Sequence, residues 1–209
     1  MQQIVIDTLV QLIVVMLVGS LAWLIFARKR SGLRAWLGLT LPPLRAVGLT
    51  LLAALVIVPA SLAIFVFSPM NAAASGENTV AAALTAFEGD WASIALAILL
   101  LAVFKTALSE EIFFRGLIAK RLVNGLGFGF GNLLQALIFG AVHLLIFIIP
   151  GGPAFDPMMA AGIVGVTGFG AWVSVWLNEK PGQGSIMPGW ILHGLTNAVS
   201  YPVLAFALS

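Results

Sequence analysis

The run WASIALAILLLAVFKTALSEEIFFRGLIAK, residues 91–120, decides the fold. As a helix rising 1.5 Å per residue it reaches about 45 Å, longer than the roughly 30 Å hydrocarbon core of a bilayer. Such a helix must tilt, kink or project beyond the membrane. It is apolar except for Lys105 and a tight group of two acids and a base, Glu110, Glu111 and Arg115. An ionisable side chain inside a span costs several kcal/mol, so it marks a functional position by default.

The rest of the chain agrees with a membrane setting. Of 209 residues, 61% are hydrophobic and 9% charged, against roughly 25% charged in a soluble domain. The expectation is an all-α, polytopic transmembrane bundle with an intramembrane polar cavity. It forms one membrane domain over 1–209, with accessory spans in 1–67 and a motif-bearing core in 91–208. Six apolar stretches approach the length of a span, near 4–27, 44–67, 91–120, 130–149, 158–177 and 186–208. The first has no basic residues before it and Arg28, Lys29 and Arg30 directly after it, which reads as an anchor rather than a cleaved signal. The chain has no cysteine, which removes disulfides, thiolate metal sites and a cysteine nucleophile.

Charge placement tests the span count. Arg28, Lys29, Arg30, Arg34, Arg45, Lys120, Arg121 and Lys180 all fall in or beside the odd-numbered connections. The N-terminal segment and the even-numbered connections hold Asp7, Glu77, Glu88, Asp90 and Asp156 and no base. By the positive-inside rule the odd connections are cytoplasmic and both termini lie outside. The net charge of +2 therefore follows topology and is no nucleic-acid signal.

Between the spans, NTVAAALTAF (78–87) reads as a short interfacial helix and Leu41-Pro42-Pro43 as a break. Gly125, Gly127, Gly129 and Gly131 read as the turn between spans three and four. With no strand before them they are not a phosphate loop. Gly162, Gly165, Gly168 and Gly170 are small enough for close helix contact. Lys105 is expected to snorkel or to pair with another buried polar group, and Asp156 to be solvated.

Three further polar groups share the depth of the acid pair. His143 lies 13 residues into the fourth span, His193 seven into the sixth, and Asn197 one turn deeper. Glu110, ten residues from the same membrane face, belongs to one band with them, about 10–20 Å in. The two histidines are the only ones in the chain. Glu111 and Arg115, four apart, share a helix face and can pair, while Glu110 is turned about 100° away toward a different neighbour. Phe139, one turn before His143, can shield that imidazole, and Ala136 and Gly140 leave room for a neighbouring helix. A carboxylate beside an imidazole can take a proton from water. A second imidazole and a carboxamide can donate to a developing oxyanion. Together these are the parts that peptide-bond hydrolysis requires.

The polar groups also admit other readings. Glu110, His143 and His193 could instead be three ligands of a hydrolytic metal ion. The cluster could serve packing alone, in a membrane scaffold or an immunity protein. A proton-coupled transporter is a third reading, weakened by the lack of duplicated broken helices.

Three motifs resemble the CPBP family of intramembrane proteases, which includes the type II CAAX prenyl endopeptidases and many bacteriocin-processing proteins. EExxxR is matched by Glu110, Glu111 and Arg115, FxxxH by Phe139 and His143, and HxxxN by His193 and Asn197, over about residues 105–200. The resemblance implies a glutamate-dependent endopeptidase without a cofactor. In it Glu110 and His143 activate water, His193 and Asn197 stabilise the oxyanion, and Glu111, Arg115 and Phe139 support them. It further implies a conical cavity open to the cytoplasm or the lipid, and a protein or peptide substrate at the membrane. The small size of the chain points to a bacterial plasma membrane.

Overall fold

The computed structural model describes residues 1–68, 70–71 and 80–206. Glu77, the first two residues of the 78–87 segment and positions 207–208 of the expected sixth span lie outside the described residues. Among the described residues the main helical segments follow one another in this order. They are α1 (Gln2–Phe26), α2 (Leu33–Leu37), α3 (Leu44–Val66), α4 (Val80–Thr85), α5 (Trp91–Leu126), α6 (Phe128–Phe147), α7 (Pro157–Glu179) and α8 (Met187–Phe206).

Helices α1, α3, α5, α6 and α7 are each long and apolar enough to cross a membrane, and the chain is a multi-pass membrane protein. Their outward side chains fit that solvent: Leu9, Ile13, Leu17 and Leu21 of α1 are each more than half exposed. Helix α8 has the length of a span, at 20 residues, but falls short in hydropathy. The reason is its polar content, which includes His193, Asn197 and Ser200. The hydrocarbon-length element with the most polar face is therefore the one that the bundle encloses. It packs against α3, α4, α5 and α7.

Helix α5 departs most from a plain helix. It runs 36 residues, six beyond the expected end at 120, and contains two π-type stretches, Leu99–Leu108 and Glu111–Ala119. Side chains of neighbouring helices occupy carbonyls in the first of them. Trp190 of α8 donates to the Val103 carbonyl at 2.8 Å, and Gln11 of α1 to the Lys105 carbonyl at 2.9 Å. Capture of ladder carbonyls by outside donors is a recognised cause of helix irregularity. Lys105 itself lies 3.7 Å from Asp7 of α1, so it does pair with a polar group, but that partner is partly exposed rather than buried.

The turn between α5 and α6 is narrower than the glycine run suggested. Gly127 alone leaves the helical conformation, at φ 78°, a value that favours glycine. Gly131 lies inside α6 instead, where a Cβ would stand 2.5 Å from the Leu122 backbone, so glycine lets the hairpin close. In the same way a Cβ on Gly140 would meet the Val164 carbonyl at 2.8 Å, seating α6 on α7. Asn132 and Gln135 of α6 reinforce that seam by donating to the Trp172 and Ala171 carbonyls at 3.1 and 3.2 Å. Asp156 is not simply solvated: it caps α7, accepting from the Met159 amide at 2.7 Å.

The basic ends of the helices are drawn together. Lys120 donates to Glu179 at 2.8 Å and to the Gly184 carbonyl at 2.6 Å, while the Arg121 guanidinium lies 3.5 Å from the Trp36 ring centroid. The Ile186 amide donates to the Gly38 carbonyl at 2.9 Å. Leu37, Ile112 and Ile186 are buried beneath this layer, so α2 and the α7–α8 turn cover that end of the bundle.

Candidate active site

A cavity of about 850 Å³ lies between α3, α5, α6, α7 and α8. Its walls are mostly apolar, with Ile57 and Ile64 on α3 and Val166 and Phe169 on α7. The expected polar character is present as well, since Glu110, Arg115, His143, His193 and Asn197 all line the cavity. Three helices thus bring the polar residues singled out in the sequence to one place.

Each residue reaches that place for a local reason. Glu110 sits between the two wide stretches of α5 and is partly exposed. Its Oε2 lies 3.9 Å from His193 Nε2. Glu111, one residue on, is fully buried, and its Oε1 lies 3.1 Å from Arg115 Nε. The pairing expected from the four-residue spacing is therefore present, but it is not separate from the rest. The same Oε1 lies 3.5 Å from His193 Nδ1. His193 consequently stands between the two carboxylates, with one ring nitrogen toward each.

His143 occupies the point where α6 tightens into a 3₁₀ turn over His143–Phe147. Its Nδ1 lies 2.8 Å from the Phe139 carbonyl. A carbonyl only accepts, so Nδ1 is the donor in this contact and Nε2 is left for other partners. Phe139 is buried and touches most of the cluster. Its ring centroid lies 4.7 Å from the His143 ring, 6.1 Å from the His193 ring and 4.0 Å from the Arg115 guanidinium carbon. It therefore does more than shield one imidazole. Among the described residues, His143 has no carboxylate oxygen within the 4.0 Å that Glu110 and His193 share.

Among the described residues, several buried atoms around the cavity have no hydrogen-bond partner of good geometry: Glu110 Oε2, Glu111 Oε1, Arg115 Nε and Nη1, His193 Nδ1 and Asn197 Nδ2. Buried polar atoms are normally satisfied, and a cluster of exceptions on a cavity wall suits a site that receives polar groups from outside. Among the described residues no three His, Asp or Glu side chains gather as a metal-ligand set, so the alternative built on Glu110, His143 and His193 as ligands lacks its cluster.

Reading the sequence missed Asn178. It is buried near the end of α7, where its Nδ2 donates to Glu111 Oε2 at 3.4 Å and its Oδ1 accepts from the Gly189 amide at 2.7 Å. In the sequence it stands beside Glu179 and Lys180, where it looks like an ordinary polar residue at a span end. Thr106 and Tyr201, one turn beyond Glu110 and Asn197 on their helices, also line the cavity and were not singled out.

Comparison with known families bears on this arrangement. The profile of the family described as Type II CAAX prenyl endopeptidase Rce1-like matches residues 91–199, which include every residue of the three motifs. No curated protein and no solved structure gives a match.

Proposed function

The chain belongs to the Rce1-like family of type II CAAX prenyl endopeptidases, and on that premise we propose that it hydrolyses a peptide bond of a membrane-associated protein with water activated by Glu110 and His143. The family assignment makes it a membrane peptidase acting on a protein substrate; the residue roles that follow are our reading. The observation that supports it is that Glu110, His143, His193 and Asn197 all line the same cavity, with Glu110 Oε2 3.9 Å from His193 Nε2.

A water molecule held between Glu110 and the Nε2 of His143 gives a proton to Glu110 as its oxygen bonds to the scissile carbonyl carbon; the C–N bond then breaks and that proton passes to the leaving amine. Both side chains line the cavity, and no direct contact within 4.0 Å joins them. His193 and Asn197 Nδ2 face the oxygen that becomes negative. Donors fixed in a low-dielectric wall stabilise that charge without reorganising. Glu111 and Arg115 support this arrangement from the protein side of the cavity. The apolar walls suit a hydrophobic segment of the substrate, and the basic end of the bundle faces the cytoplasm.

The test is a comparison of peptide termini in membranes carrying the wild-type chain or Glu110→Gln. The reading expects new protein termini with the wild type that are lost with the variant, at equal abundance of the folded chain. Identical termini in both would overturn it.

A further inference from the structure

We propose that Asn178 is a positioning residue for His193, acting through Glu111; the catalytic meaning of this rests on the function proposed above, whereas the positional claim does not. The inference starts from an amide that packing alone does not explain. Asn178 is buried in the apolar interior of α7, where an unpaired carboxamide is destabilising. Both its ends are used, each by a different helix. The oxygen takes the Gly189 amide of α8 at 2.7 Å, and the nitrogen is directed at Glu111 Oε2 of α5 at 3.4 Å.

Gly189 lies in the first turn of α8, where backbone amides have no partner within their own helix. One of those amides is thus capped from another helix. That bond fixes the first turn of α8 against α7, and His193 stands one turn further along the same helix. The second bond fixes Glu111. With Oε2 held by Asn178, Oε1 is directed to Arg115 at 3.1 Å and His193 Nδ1 at 3.5 Å. Asn178 therefore controls both terms of the Glu111–His193 contact: where the ring lies and where the carboxylate points. A carboxylate 3.5 Å from Nδ1 favours the ring tautomer with its proton there, and the neighbour of one ring nitrogen decides what the other presents to the site.

Glycine at 189 belongs to the same device. A Cβ there would stand 2.4 Å from Glu111 Oε2 and 2.8 Å from Asn178 Nδ2, so the two groups meet in the space that its absence leaves. None of this is contained in the three motifs. Asn178 and Gly189 are eleven residues apart and lie outside all of them.

The chain supplies its own internal reference for the test, because it has two histidines only. The full chain labelled with ¹⁵N-histidine and placed in lipid nanodiscs gives separate ring-nitrogen signals for His143 and His193. In the wild type, Nδ1 of His193 is expected to carry a proton that faces the Glu111 carboxylate 3.5 Å away. Asn178→Leu, which removes both bonds at similar volume, should shift the His193 nitrogens and leave the His143 pair in place. Gly189→Ala, which keeps the Asn178 amide but displaces Glu111, should give the same signature if Asn178→Leu fails to fold. On an internally quenched peptide with an apolar anchor, turnover should fall roughly ten- to a hundredfold, the range for losing the group behind a functional histidine, at unchanged KM. An unprotonated Nδ1 on wild-type His193 overturns the proposal. So do unmoved His193 signals in a folded variant, or equal movement of both histidines. Failure of the wild type to cut any peptide would count against the proposed function alone, since the nitrogen signals do not depend on it.

Discussion

Replacing Arg115 with alanine removes the counter-charge of a carboxylate that has no access to water. Glu111 is 0% exposed and Arg115 2% exposed, with 3.1 Å between their facing atoms. Breaking a buried pair from one side costs about 3–5 kcal/mol, because the remaining charge stays buried. Loss of the guanidinium stacked 4.0 Å from the Phe139 ring centroid adds to this, by about 0.5–2 kcal/mol. Asn178 at 3.4 Å and His193 at 3.5 Å remain and return part of it. A net loss of about 3–5 kcal/mol is a large share of the roughly 5–15 kcal/mol typical of a folded domain. The assay is denaturant or thermal unfolding of the purified chain in mild detergent, alongside the yield of folded protein. A second substitution sharpens it. Glu111→Leu placed on Arg115→Ala removes the uncompensated charge, and most of the lost stability should return, since a buried pair exchanged for apolar groups is often neutral. An Arg115→Ala chain within about 1 kcal/mol of wild type, or no recovery in the double variant, would refute this reasoning.

Three further outcomes are expected. Asn197→Ala should lower turnover by about 10²- to 10³-fold with little change in KM, the loss typical of one oxyanion donor; steady-state kinetics showing only a raised KM would contradict that role. Gly131→Ala should lower the unfolding temperature without touching the site, because its Cβ meets the Leu122 backbone at 2.5 Å; an unchanged melt would show that the α5–α6 hairpin yields freely. Asp90 caps α5, and its hydrogen bonds from the Ser93 hydroxyl and amide hold its carboxyl below the usual range. A depressed folded-state value means that the contribution is present at neutral pH and lost as pH falls through that value. Unfolding curves of Asp90→Asn should therefore respond less to acid than those of the wild type.

The sequence made legible whatever depends on spacing within one helix. Glu111 and Arg115 pair because four residues bring them to one face, and His143 meets its own Phe139 carbonyl for the same reason. Membrane character followed from the apolar runs alone. Hidden from it were the features set by the register of one helix against another. Nothing in Asn178 signals that its partners are Glu111 and Gly189, and nothing in Glu111 signals that it shares His193 with Glu110. The first wide stretch of α5 receives donors from Gln11 and Trp190, which lie far away in the chain. The glycine run was misleading because glycine serves both turns and close contact. Gly127 does the first and Gly131 the second.

The central claim is that Glu110 activates the attacking water, and the most direct measurement is hydrolysis by the purified chain reconstituted in liposomes, wild type against Glu110→Gln. The variant keeps shape and hydrogen-bonding capacity but cannot accept the proton. The account predicts that Glu110→Gln unfolds like the wild type yet shows no turnover above the uncatalysed rate. A folded Glu110→Gln chain that cleaves the same bond at the wild-type rate would contradict it.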